Sequence, residues 1–307
     1  MTRLIVDTDT AGDDVFSLLV ALLDPRLTLE AITVCCGNVR FEQEVENALY
    51  TVEQAGRAGE VPVYAGCSRP LVAEWVGAAY VHGQDGMGDS SFPRAKQRPE
   101  PEHAVDELVR RIDESPGELT ILAQAPLTNV AAAVVRDPSI AEKVAHLYVM
   151  GGGIGNITPA AEYNFYVDPE AAKIVLNAGF PLTLFTWTLT RTHGVFHDDE
   201  LARIEALDTS LARFFGQVNR KAREFDAKVV GLGGSTHPDS MVAAAIADPS
   251  LILASEEAVV DVETGGELTR GWNLIDTLGR TGREPNARVV TDYDTERFFE
   301  LMLGLLS

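Results

Sequence analysis

The sequence predicts an α/β protein built on one open, mostly parallel sheet with helices on both faces. Three features carry that prediction. Short apolar runs alternate with longer amphipathic stretches, those runs are hydrophobic at consecutive positions, and no Pro/Ser-rich linker, charge block or internal repeat divides the 307 residues. Strands covered on both faces lose the alternation of half-exposed strands, and helical crossovers are what parallel neighbours require. The chain reads as a single domain over residues 1–307, with loop insertions at about 81–101 and 191–235.

Leu4-Ile5-Val6 begins the first strand, and Val15 to Leu23 follows as a helix with Val15, Leu18, Leu19 and Leu22 on one face. Leu29 to Cys36 is the next strand and Glu42 to Ala55 the next helix. The polar segment from Val81 to Pro101 reads as a loop over one sheet edge. Strands then recur at Leu119 to Ala123, His146 to Met150 and Leu182 to Trp187, with helices between them at His103 to Ile112 and Asn129 to Val135. Arg191 to Ser235 reads as a helical excursion. In open parallel sheets, sites form beyond the carboxyl ends of the strands, where the polar motifs of this chain fall.

Lys and Arg number 25 against 46 Asp and Glu, a net charge of −21. Such a charge repels phosphate backbones and argues against a nucleic-acid partner, although for the charge as a whole simple solubility is the plainer reading. The start of the chain lacks a basic stretch followed by an apolar one, which argues against a secretory signal. No run approaches the roughly 18 apolar residues of a membrane span, so no membrane partner is expected. Cys35, Cys36 and Cys67 are few, odd in number and set in apolar surroundings, as buried reduced thiols would be. A cytoplasmic enzyme is the expectation.

The first strand end reads Val6-Asp7-Thr8-Asp9-Thr10-Ala11-Gly12-Asp13-Asp14. Strand side chains alternate with period two, so Asp7 and Asp9 leave on the same side. Asp13 and Asp14 fall in the first helical turn, where negative charge is tolerated. Capping explains one or two acids, but four acids this close repel one another. A hard cation held by oxygen ligands resolves the repulsion; a capped helix with solvated acids is the plainer alternative.

Asp7-Thr8-Asp9-Thr10 after an apolar strand also fits the Asp-x-Asp-x-Thr of haloacid-dehalogenase-type phosphatases, but no convincing downstream Lys and second acidic strand end accompany it. With Asp13-Asp14, the segment resembles the Asp-x-Asp-x-x-x-Asp-Asp signature of the inosine–uridine nucleoside hydrolase family. Further segments look like that family in order: Gly37-Asn38; Ala123-Gln124-Ala125-Pro126-Leu127-Thr128-Asn129; Met150-Gly151-Gly152-Gly153 with Asn156, Glu162-Tyr163-Asn164-Phe165 and Asp168-Pro169-Glu170-Ala171; and Asp239 in His237-Pro238-Asp239-Ser240. The likeness runs end to end and includes Val260-Asp261 and Leu268-Thr269-Arg270-Gly271.

The resemblance implies the nucleoside hydrolase fold with a Rossmann-like core, and hydrolysis of the N-glycosidic bond of ribonucleosides to ribose and free base. It implies calcium as cofactor, held by Asp9, Asp14, Asp239 and the carbonyl of Gln124, with Asp9 also taking a proton from the attacking water. Asp13, Asn38, Asn156, Glu162 and Asn164 would grip the ribose hydroxyls. His82 and Asp85 resemble the family's loop near the substrate, and a homodimer or homotetramer is implied. Each residue has a plainer reading: Asn38 as a turn residue, Glu162 and Asn164 as loop polars, His82 as structural. Asp168 before Pro169 reads as a helix cap and is left out of the site.

Two positions depart from the family pattern. Pro238 stands where many members carry a His that protonates the leaving base, and His237 takes that role only if its loop is rearranged. Trp187 is the alternative, stacking on the base, although core packing is its plainer reading; Tyr163, Arg220, Lys221 and Arg223 are further candidates. Ala125 stands where Gly is usual, which would constrain the carbonyl loop if its backbone required positive φ. The remaining alternatives are a hydrolase of an unusual or modified N-riboside and a calcium-containing binding protein that has lost turnover.

Overall fold

The five predicted apolar runs and four further segments form the strands of one central sheet in the computed structural model, which describes residues 1–307. The first six in chain order run parallel: β1 (Thr2–Thr8), β2 (Leu27–Val34), β3 (Val63–Ala65), β4 (Leu119–Ala123), β5 (His146–Met150) and β6 (Leu182–Phe185). Two short strands, β7 (Val195–His197) and β8 (Gly234–Thr236), pair antiparallel outside it. The last three, β9 (Ile252–Val262), β10 (Asn273–Asp276) and β11 (Ala287–Tyr293), extend the central sheet, with β11 parallel to β6 and β9 antiparallel to β11. The order across the sheet is β10-β9-β11-β6-β5-β4-β1-β2-β3.

Chain order reverses direction between β1 and β4, and such a switch point leaves a crevice at the strand ends. β1 is buried on both faces: Leu4 and Val6 join one hydrophobic cluster and Ile5 the other. The first cluster lies under α1 (Gly12–Leu23), α2 (Phe41–Gln54) and the helices Pro238–Ala247 and Thr295–Leu305; the second lies under Ala104–Glu114, Thr128–Arg136 and Pro169–Leu176.

The structure corrects several local readings. β6 ends at Phe185, and Trp187 opens a helix, Trp187–His193, because the Thr186 hydroxyl accepts the Leu189 N–H and caps it. The excursion over 191–235 contains a two-stranded ribbon as well as helices. Its long helix, Ser210–Phe225, passes into a single π-helical turn, Asp226–Val230. Ala125 carries no positive φ, so the carbonyl loop is unstrained without glycine. The loop after Val81 does lie along the β3 edge, where Glu100 bridges to Tyr64.

Candidate active site

β1 delivers its acids to the switch point, and they divide there. Asp7 turns into the fold, accepting hydrogen bonds from Thr33 Oγ1 at 2.6 Å and Asn129 Nδ2 at 2.8 Å. It thereby ties β1 to β2 and the helix Thr128–Arg136 rather than joining the cluster, and burial raises its carboxyl to about 7. Asp14 accepts from Thr8 Oγ1 at 2.7 Å, Gln124 Nε2 at 3.0 Å and Asn38 Nδ2 at 3.2 Å. Asp9 accepts the Asn38 N–H at 3.0 Å through one oxygen, while its Oδ1 is buried without a partner. Gly37 permits that approach, since any Cβ there would collide with the Asp9 carboxylate.

Asp239 arrives from the other end of the chain, in the first turn of the helix Pro238–Ala247, and its N–H donates to Asp13 Oδ2 at 2.9 Å. Its own Oδ1 is buried without a partner. Asp13, Asp14 and Asp239 each place a carboxylate oxygen within 4.8 Å of the others, and the hydrogen bonds that Asp9, Asp13 and Asp14 accept come from backbone N–H, hydroxyl and amide groups rather than from Lys or Arg. Burial above all, then mutual repulsion, pushes Asp9 and Asp239 well above the usual carboxylate range and Asp13 to about 7; burial alone raises Asp14 to about 6.

Buried acceptors without donors are rare in folded proteins. Orphaned oxygens on Asp9 and Asp239, in an all-oxygen donor set with no protein cation, fit a hard divalent ion. Deprived of it, the protein should melt in a way set by these raised carboxyls. An acid whose pKa rises on folding favours the fold while protonated, so that contribution is complete below its ordinary pKa and lost as pH rises through the folded value. The window for Asp13 runs from 3.8 to about 7. Carboxyls held low by arginine, such as Glu107, lowered from 4.5 to about 2, act mainly below that window and overlap only its lower edge. The Tm of chelator-stripped protein is therefore expected to fall between about pH 4 and pH 7, with added calcium raising it most at the upper end. Thermal melts followed by circular dichroism across pH check this, and a Tm rising throughout that range without metal would contradict it.

The cluster opens into a cavity of about 320 Å³, within the size range of small-molecule sites. Asp13, Asp14, Asn38, His82, Gln124, Asn156, Glu162, Asn164, Trp187 and Asp239, all expected from the sequence, line it. Asn38 is anchored by its Nδ2, which donates to the Asp9 carbonyl at 3.3 Å and to Asp14. Asn164 Nδ2 donates to the carbonyls of Gln124 (3.1 Å) and Met150 (3.2 Å). Glu162 caps the short helix Tyr163–Val167 by accepting from Asn164 N–H at 2.9 Å, and it also accepts Gly152 N–H; burial raises its carboxyl to about 7. Asn156 sits exposed on a loop at the cavity rim. His82 lies against Gly12, whose φ of +44° leaves no room for a Cβ beside the imidazole. Burial lowers the His82 ring to about 4, so it stands neutral in the cavity wall.

Three expectations change. His237 does not line the cavity: it is buried among Phe16, Phe196 and Phe215, its Nε2 bonded to Ser235 Oγ at 2.8 Å. Burial lowers it to about 3, so His237 has neither the position nor the proton to assist a leaving base. Asp85 organises its own loop, accepting from the N–H groups of Met87, Asp89 and Ser91. Arg220 is taken up by the Gly88 and Asp89 carbonyls, Lys221 by Asp89, and Arg223 by Asp198 and Glu205. Asp168, set aside as a cap, does cap the helix Pro169–Leu176 through Ala171 N–H.

Sequence reasoning overlooked Glu44. It accepts the N–H groups of Gly37 and Val39 at 3.0 Å each, holding Asn38 between them. The available signal was an acid on the buried face of α2, in register with Ala48 and Thr51. Arg191 and Phe225, also in the cavity wall, carried no motif.

A switch-point cavity joining a carboxylate cluster to amide and carboxylate groups can hold a hard cation beside a polyhydroxylated ligand. Residues 4–300 match the model of the inosine-uridine preferring nucleoside hydrolases, and the chain belongs to that family. It is 33% identical to the pyrimidine-specific ribonucleoside hydrolase RihA of Salmonella paratyphi A, over 97% of this chain and 96% of that protein. A plant nucleoside hydrolase, PpNRh1, superposes with a TM-score of 0.94 at 30% identity, over 99% of this chain and 98% of its own. The purine-preferring ribonucleoside hydrolase of Gardnerella vaginalis superposes at 0.91 and 28% identity, with 99% and 98% covered.

Proposed function

We propose that this enzyme hydrolyses ribonucleosides to ribose and free base with a calcium ion held by Asp9, Asp14, Asp239 and the Gln124 carbonyl. The observation that carries the reading is the pair of orphaned buried carboxylate oxygens, Asp239 Oδ1 in the cavity wall and Asp9 Oδ1 behind it. A bound divalent cation would make a nearby water more acidic and hold it for attack.

Asp9, whose Oδ1 has no protein partner, would accept the proton that the attacking water loses. Asp13, Asn38, Asn164 and Glu162 grip the ribose hydroxyls. Their carboxylates also favour the positive charge that develops on the sugar as the glycosidic bond breaks. Trp187 supplies an aromatic wall for the base.

Incubation with a ribonucleoside panel, read by a reducing-sugar assay, is expected to release ribose from at least one common nucleoside. Activity should disappear on chelation and return with calcium. Release of no sugar from any riboside in the presence of calcium would refute the reading.

A further inference from the structure

Arg191 is the only Lys or Arg in the cavity wall, which it shares with Asp13, Asp14, Glu162, Asp226 and Asp239. It nevertheless pairs with none of them, whereas Arg220 and Arg223, on the neighbouring long helix, are bound to protein oxygens. It stands in the last turn of the helix Trp187–His193, four residues beyond Trp187. Residues at that spacing share a helix face, about one turn or 5.4 Å apart. Trp187 is therefore the buried inner wall and Arg191 the exposed outer one.

We propose that Arg191 binds the O6/N7 edge of a 6-oxopurine leaving group, making hypoxanthine or guanine ribosides the preferred substrates. This rests on the ribonucleoside hydrolase reading and names its base. The ribose end is fixed by the acid cluster, so a base stacked on Trp187 projects its far edge toward the mouth. A 6-oxopurine carries two adjacent acceptors there, where adenine would present an amino donor, and a guanidinium fork matches O6 and N7 together.

The same contact answers the loss of the leaving-group acid. As the C1′–N9 bond breaks, its electron pair passes to the purine, and the charge spreads onto N7 and O6. Water oxygen bonds to C1′, and its proton goes to a cavity carboxylate. Arg191 keeps its own proton, because a guanidinium does not dissociate in this range; it stabilises the departing anion, which takes a proton from solvent at the mouth. A cation that merely complements its helix end would do none of this.

The test compares wild type, Arg191→Gln and Arg191→Lys on inosine, uridine and p-nitrophenyl β-D-ribofuranoside, whose phenolate leaves without help. Arg191→Gln is expected to lower kcat/KM for inosine by about 10–100-fold while changing the nitrophenyl riboside less than about threefold. Arg191→Lys, a charge without the fork, should fall between. Equal losses on inosine and the nitrophenyl riboside, or no loss on either, would overturn the proposal. So would a wild-type enzyme that cleaves uridine but not inosine, with the general reading left standing. Cleavage of no riboside would remove both.

Discussion

Removing the 2′-hydroxyl from a substrate is expected to lower kcat/KM by about 10⁴-fold, the scale at which a site built to hydrogen-bond a hydroxyl rejects its absence. The magnitude follows from what lines the sugar end. Asn38, Glu162 and Asn164 are buried, and Asp13 lies beside them. The amide nitrogens and the Glu162 oxygens already hold protein partners, so a deoxy sugar strands the Asn38 and Asn164 amide oxygens and Asp13 Oδ1, each at about 1–3 kcal/mol, more when charged. Two or three of them account for about 5 kcal/mol, or nearly four decades at about 1.4 kcal/mol each. Paired kcat/KM values for uridine and deoxyuridine, and for inosine and deoxyinosine, measure it. A ratio near one would mean that these residues do not hold the sugar.

Asp14→Asn is expected to lower kcat/KM by at least about 10³-fold without unfolding the protein. Asp14 is the acid most completely built into the cluster, bonded at once to Thr8, Gln124 and Asn38. Its contribution to a cation site is worth several kcal/mol of transition-state stabilisation, and about 4 kcal/mol is three decades. Stability should change little. Asn keeps most of the volume, and the carboxylate repulsion it removes offsets the acceptor bonds its amide nitrogen cannot make, so the metal-free variant should melt close to metal-free wild type. The rise in Tm on adding calcium should shrink with it. A variant that lost activity by unfolding would lower both melting points together, which separates a ligand role from a structural one.

Much of this was legible because the informative residues announce themselves locally. Strands such as β4 and β5 have sharp apolar boundaries, and their predicted limits match the observed ones. The acids of β1 stand out because four carboxylates within eight residues conflict with ordinary capping. Only tertiary structure sorts them: Thr33 and Asn129, 26 and 122 residues away, draw Asp7 out of the cluster. Glu44 was hidden for a related reason, since its partners are backbone N–H groups that no side-chain pattern encodes. The C-terminal extension escaped because the first half of β9 has no buried residue and includes the polar run Ser255-Glu256-Glu257. His237 misled by adjacency, because one residue of offset before Asp239 turns a side chain from the cavity into an aromatic core. Arg191 has meaning only once the cavity shows that no carboxylate claims it.

Calorimetric titration of calcium into chelator-stripped wild-type and Asp14→Asn protein addresses the origin of the chemistry most directly. Wild type is expected to bind a single ion, with activity recovering in proportion to occupancy, and the variant to bind it at least about 100-fold more weakly, a difference of about 2.7 kcal/mol. A stripped wild-type enzyme that takes up no divalent cation yet hydrolyses nucleosides at full rate would contradict the account.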